Sequence, residues 1–75
     1  MITLKEFRHN LIRYRLQCHW TQEDLAKQIQ VSRSAVAQWE NGRGWPAMPQ
    51  FLRLCVALNV SCTQLLEEFP PLEDK

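Results

Sequence analysis

Residues 21–43 read TQEDLAKQIQVSRSAVAQWENGR, and two short helices joined by a tight turn can be traced in them. Thr21 with Asp24 marks a helix start, because a hydroxyl at the N-cap and an acceptor three residues on satisfy backbone N–H groups that a first helical turn leaves orphaned. This helix is predicted to run to about Ile29 and to bury Leu25, Ala26 and Ile29. Ser32 starts a second, running to about Glu40 or Asn41, with Ala35, Val36 and Trp39 facing inward. About three residues separate the two, too few for an antiparallel hairpin, so the helices must cross at a steep angle. Small Ala26 permits the close approach, and Val31 plugs the turn. The N-terminal part of the second helix is then pushed outward, with Arg33, Ser34 and Gln38 at its exposed positions.

Working outward, Thr3 with Glu6 opens a helix reaching about Cys18, with Leu4, Phe7, Leu11 and Tyr14 roughly on one face. Ala47-Met48-Pro49 begins another, since proline is tolerated in a first helical turn, and Phe51, Leu52, Cys55, Val56 and Leu58 continue it. Ser61 with Gln64 opens the last, which Pro70 and Pro71 are expected to end. No segment alternates apolar and polar residues long enough for a strand. The expectation is an all-α fold of five helices: a single domain over residues 1–75, with the helix pair at 21–41 and a short tail at 69–75.

The composition fits one small domain. In seventy-five residues no second catalytic or ligand-sensing unit is expected, and 45% hydrophobic content with three tryptophans supplies a core. Cys18, Cys55 and Cys62 are odd in number and apolar-flanked, which suits reduced thiols better than a disulfide framework; no bridge is expected. The N-terminal MITLKEFRHNL carries acid and lacks a long apolar run, so a cytoplasmic protein with no membrane partner is expected. The formal charge is only +1, but it is divided unevenly. Residues 1–43 carry seven Lys/Arg against four Asp/Glu, and residues 44–75 two against four. The first part is inclined toward a polyanion, the second away from it.

The chain closely resembles the Cro and phage-repressor (XRE-like) family of helix-turn-helix domains. The likeness spans residues 4–66: an arginine-bearing first helix, W-T-Q-E-D-L-A, V-S-R-S-A-V, W-E-N-G, then P-x-M-P-x-F-L-R-L and L-N-V. It implies a five-helix, lambda-repressor-like fold and dimeric binding to a pseudo-palindromic DNA operator, with regulation by promoter occupancy. At one position the chain departs from the family: the turn residue is usually glycine, and here it is Gln30. Held left-handed, it costs on the order of 1 kcal/mol.

By the same resemblance, Arg33, Ser34 and Gln38 match base-reading positions. Their chemistry agrees, since arginine can pair with guanine O6 and N7 and glutamine with adenine N6 and N7. Gln22, at a helix N-terminus that favours an anion, is a candidate phosphate contact, and Asn41 and Arg43 match family positions that touch the backbone. For Asn41 the rival role is capping the helix. Arg15 and Glu40 match a structural ion pair. Trp45, in a Gly-Trp-Pro turn, packs under the loop or lies against DNA, and both readings stay open.

Neither a paired carboxylate in an apolar pattern, nor a nucleophile with its base, nor a phosphate-cradling glycine loop is legible, so an enzyme is not expected. Cys18 with His19, and Cys55 with Cys62, lack the spacing of a metal set, so neither metal nor cofactor is expected, and no small-molecule effector. One recognition helix touches only a few base pairs, so a homodimer on double-stranded DNA is expected, acting as a repressor. Leu66, Phe69 and Leu72 are the apolar groups left over for its interface. The alternative is an antitoxin-like or adaptor protein whose main partner is another protein.

Overall fold

The computed structural model describes residues 3–67. Five helices follow in order: α1 (Leu4–Gln17), α2 (Gln22–Ile29), α3 (Arg33–Glu40), α4 (Met48–Leu58) and α5 (Cys62–Leu65), with no strand among the described residues. Their starts follow the capping chemistry. Thr3 with Glu6, Thr21 with Asp24 and Ser61 with Gln64 form reciprocal capping boxes, and the Ser32 hydroxyl accepts from the Ala35 N–H. Pro49 lies in the first turn of α4, where its missing N–H removes no helical bond.

Phe7 and Leu11 of α1, Leu25, Ala26 and Ile29 of α2, Val36 and Trp39 of α3, and Leu65 of α5 share one core with residues of α4. The apolar series read along α4 divides between two faces. Phe51, Cys55 and Leu58 are buried together with Leu54, completing an i, i+3, i+4, i+7 stripe, whereas Leu52 and Val56 are 48% and 82% exposed. Cys18, Cys55 and Cys62 are free thiols, but only Cys55 is buried; Cys62, at the first position of α5, faces solvent.

α5 is shorter than the prolines alone suggest. It stops at Leu65, short of Pro70 and Pro71, which lie outside the described residues. Asn10, buried on α1, donates its amide to the carbonyls of Leu65 (3.0 Å) and Glu67 (2.7 Å) just past this end. These two bonds tie the end of α5 to α1.

Gln30 adopts the left-handed conformation (φ 63°, ψ 47°) at the end of α2. Val31 N–H then reaches back to the Ala26 carbonyl (3.0 Å), and Arg53 of α4 donates to the Ile29 carbonyl (3.3 Å). Bonds on both sides therefore hold a residue that local sterics disfavour. No helix among the described residues is long and apolar enough to cross a membrane.

Candidate nucleic-acid interface

α3 presents two unlike faces. Val36, Trp39 and Glu40 are buried and Ala35 is partly so, while Arg33, Ser34 and Gln38 are exposed. The exposed group comes from the helical period: with Val36 and Trp39 turned inward, positions 33, 34 and 38 point outward together.

The orientation of this helix is set by a buried carboxylate. Glu40 is 4% exposed and accepts two bonds from Arg15, from Nε to Oε2 at 2.7 Å and from Nη2 to Oε1 at 3.0 Å. Arg15 is itself only 12% exposed, and its Nη1 donates to the Trp20 carbonyl at 2.7 Å. Two parallel bonds between guanidinium and carboxylate fix direction as well as distance, so α1 and the end of α3 are locked in register. A second arginine, Arg8, donates from Nε to the Glu40 carbonyl at 2.6 Å.

Gln22 extends the network toward the surface. Its Nε2 donates to Glu40 Oε1 (2.9 Å), and its Oε1 accepts from Arg33 Nη1 (3.3 Å). The structure thus joins Arg15, Glu40, Gln22 and Arg33 in one chain running from a dry ion pair to an exposed guanidinium. The sequence reading placed Gln22 at an anion-favouring helix start; its side-chain amide is also a link holding Arg33.

Asn41 and Arg43 are exposed beyond α3. Asn41 ends the helix with its backbone N–H on the Ala37 carbonyl (2.9 Å), and Arg43 N–H reaches the Gln38 carbonyl (2.9 Å). Between them Gly42 has φ +72°, and a Cβ there would lie 3.2 Å from Arg8 Cδ. The left-handed backbone favours glycine, and a side chain there would also require Arg8 to shift by a few tenths of an ångström.

Trp45 packs its ring on Phe7, with centroids 5.0 Å apart and planes tilted by 36°, yet stays 47% exposed. With Pro46, Met48, Phe51 and Leu66 it lines an apolar depression. Leu66, assigned from the sequence to a dimer interface, is partly buried against its own core, while Phe69 and Leu72 lie outside the described residues.

Arg8 and Asn10 were missed by sequence reasoning. Both look like ordinary polar positions of an amphipathic helix; nothing local says that they meet the ends of α3 and α5, 32 and 55–57 residues away. Among the described residues no group of three or more His, Cys, Asp or Glu is placed to hold a metal ion.

Comparison with known proteins agrees with this geometry. A family model described as Helix-turn-helix matches residues 11–65. The HTH-type transcriptional activator BcrR of Enterococcus faecalis is 38% identical over 61 residues, covering 81% of this chain and 30% of BcrR. The chain therefore spans less than a third of that curated relative's length. Among solved structures, the SOS-response transcriptional repressor LexA from Eubacterium rectale superposes with a TM-score of 0.84 at 27% identity, covering 100% of this chain and 83% of that one. The restriction-modification controller protein C.AhdI from Aeromonas hydrophila gives a TM-score of 0.77 at 29% identity, covering 83% of this chain and 94% of that one. The chain belongs to the helix-turn-helix family.

Proposed function

We propose that this chain binds double-stranded DNA sequence-specifically, as a homodimer on a pseudo-palindromic operator, and represses by occupying the promoter. The observation that carries this reading is the exposed group Arg33, Ser34 and Gln38 on a helix whose opposite face is buried and whose end is clamped by Arg15 and Glu40. Arg33 and Gln38 match the edges of guanine and adenine in the major groove, and Ser34 can serve either base. Arg43, Asn41 and the first backbone N–H groups of α2 beside Gln22 are the phosphate contacts that set register.

A dimer follows from affinity. One helix reading a few base pairs on a domain of charge +1 lacks the base contacts and the electrostatics for tight binding, and two copies double both. The interface is assigned to the C-terminal part around Leu66, Phe69 and Leu72. Repression needs only occupancy, which the α3 face supplies by itself, whereas activation needs a further surface for the transcription machinery. BcrR is named an activator and LexA a repressor, so the direction rests on this argument and not on kinship.

The test is selection of bound duplexes from a random pool, followed by sedimentation of the protein with the enriched duplex. Inverted half-sites about one helical turn (roughly 34 Å) apart and two chains per duplex are expected. Arg33→Ala should weaken the selected site by roughly 1–3 kcal/mol and relax one base pair per half-site, with less effect on random DNA. Equal loss on both would make Arg33 a phosphate contact, and one chain on an asymmetric site would remove the dimer. No enrichment, together with capture of a stoichiometric protein partner, would favour the adaptor reading.

A further inference from the structure

Two of the three thiols lie in contact. Cys55 Sγ is 3.6 Å from Cys62 Sγ, although one residue belongs to the last turns of α4 and the other to the first position of α5. The turn between them causes the meeting. Asn59 takes the left-handed conformation (φ 59°), Val60 N–H closes on the Cys55 carbonyl at 3.0 Å, and Ser61 starts α5 in the new direction. The sulfurs differ in environment, Cys55 being 7% exposed in the core and Cys62 open to solvent.

We propose that Cys55 and Cys62 form an oxidisable dithiol: a hydroperoxide oxidises exposed Cys62 to the sulfenic acid, and Cys55 resolves it into an intramolecular disulfide tying α4 to α5. Burial first, and then the neighbouring Cys62, push the Cys55 thiol up to about 11, so Cys55 holds its proton near neutral pH and the solvent-facing sulfur meets the oxidant. In the first step the Cys62 thiolate attacks a peroxide oxygen. An S–O bond forms, the O–O bond breaks, and the departing hydroxide takes up a proton to leave as water. In the second, Cys55 sulfur attacks Cys62 sulfur. The S–S bond forms, the S–O bond breaks, and the hydroxide leaves with the Cys55 proton as a second water. Two thiols and one hydrogen peroxide become one disulfide and two waters.

The sulfurs must close from 3.6 Å to about 2.05 Å for the bond to form. α3 packs against α1 and α2, so the bond forms on elements other than those that carry Arg33, Ser34 and Gln38.

The full chain, reduced and then treated with one equivalent of hydrogen peroxide, is denatured in N-ethylmaleimide and read by intact mass and peptide mapping. Alkylatable thiols should fall from three to one, the survivor being Cys18, with a Cys55–Cys62 linked peptide. Cys62→Ser, at an exposed position, should keep its circular dichroism and yield no linked peptide. Cys55→Ala should leave a Cys62 sulfenic acid that dimedone traps. Three alkylatable thiols after peroxide, only interchain links, or over-oxidised Cys62 beside an alkylatable Cys55 would each overturn the proposal.

Discussion

Removing the Glu40 carboxylate tests whether the recognition helix is held by a dry ion pair. Glu40 and Arg15 are 4% and 12% exposed, so solvent screens their charges little. Glu40→Ala deletes two charge-assisted bonds from Arg15 and one bond from Gln22, and leaves a guanidinium largely buried with only the Trp20 carbonyl as acceptor. Breaking such a pair from one side costs about 3–5 kcal/mol. A 75-residue domain has roughly 4–11 kcal/mol in total at 0.05–0.15 kcal/mol per residue. Glu40→Ala should therefore lose about half its stability or unfold. Replacing both partners with apolar residues of similar volume, Arg15→Met with Glu40→Leu, removes the stranded charge as well as the bonds, so the double variant should lie within about 1 kcal/mol of the parent. Urea unfolding followed by circular dichroism on Arg15→Met, Glu40→Leu and the double closes the cycle, and with about 3–5 kcal/mol for each single a coupling of about 5 kcal/mol or more is expected. If Glu40→Ala cost less than about 1 kcal/mol, the pair would behave as a surface ion pair and the account of how α3 is oriented would be wrong.

Three further outcomes follow from the same geometry. Gln30→Gly relieves an exposed left-handed residue, so a net gain of about 0.5–1 kcal/mol in urea unfolding is expected, and a loss would show that the turn is not strained. Trp39→Ala, at 5% exposure, should cost on the order of 3–5 kcal/mol and collapse the helical signal; a folded variant with only a DNA-binding defect would contradict the core placement. The backbone N–H and then the hydroxyl of Thr21 hold the Asp24 carboxyl below its ordinary 3.8, and the side chain and then the backbone of Thr3 hold Glu6 below 4.5. Depressed folded values mean stability that is present above these ordinary values and lost as pH falls through the folded ones, so helicity should drop on acidification below about pH 4.5. Asp24→Asn cannot titrate and should flatten that profile, and an unchanged acid slope would exclude the α2 capping box as a contributor.

Local chemistry accounts for most of what could be read in advance. A helix start is a contact between residues three apart, so Thr21 with Asp24 or Ser61 with Gln64 announces itself in any stretch of the chain. The inward face of α3 is equally local, because Val36 and Trp39 set a phase that leaves Arg33, Ser34 and Gln38 outside. Family resemblance supplied the Arg15 and Glu40 assignment, which no spacing rule contains. Tertiary structure alone decided the rest. Which apolar residues of α4 are buried depended on where α2 and α5 sit, so Leu54 went in while Leu52 and Val56 stayed out. The end of α5 is held against α1 by Asn10, 55 residues before Leu65, whose amide bonds the Leu65 carbonyl. Arg8 on the Glu40 carbonyl, Gln22 between Glu40 and Arg33, and the two sulfurs at 3.6 Å belong to the same class. Periodicity and capping are properties of a few consecutive residues, whereas these contacts exist only once the helices have packed, and a polar side chain carries no local mark of the distant backbone group it will meet.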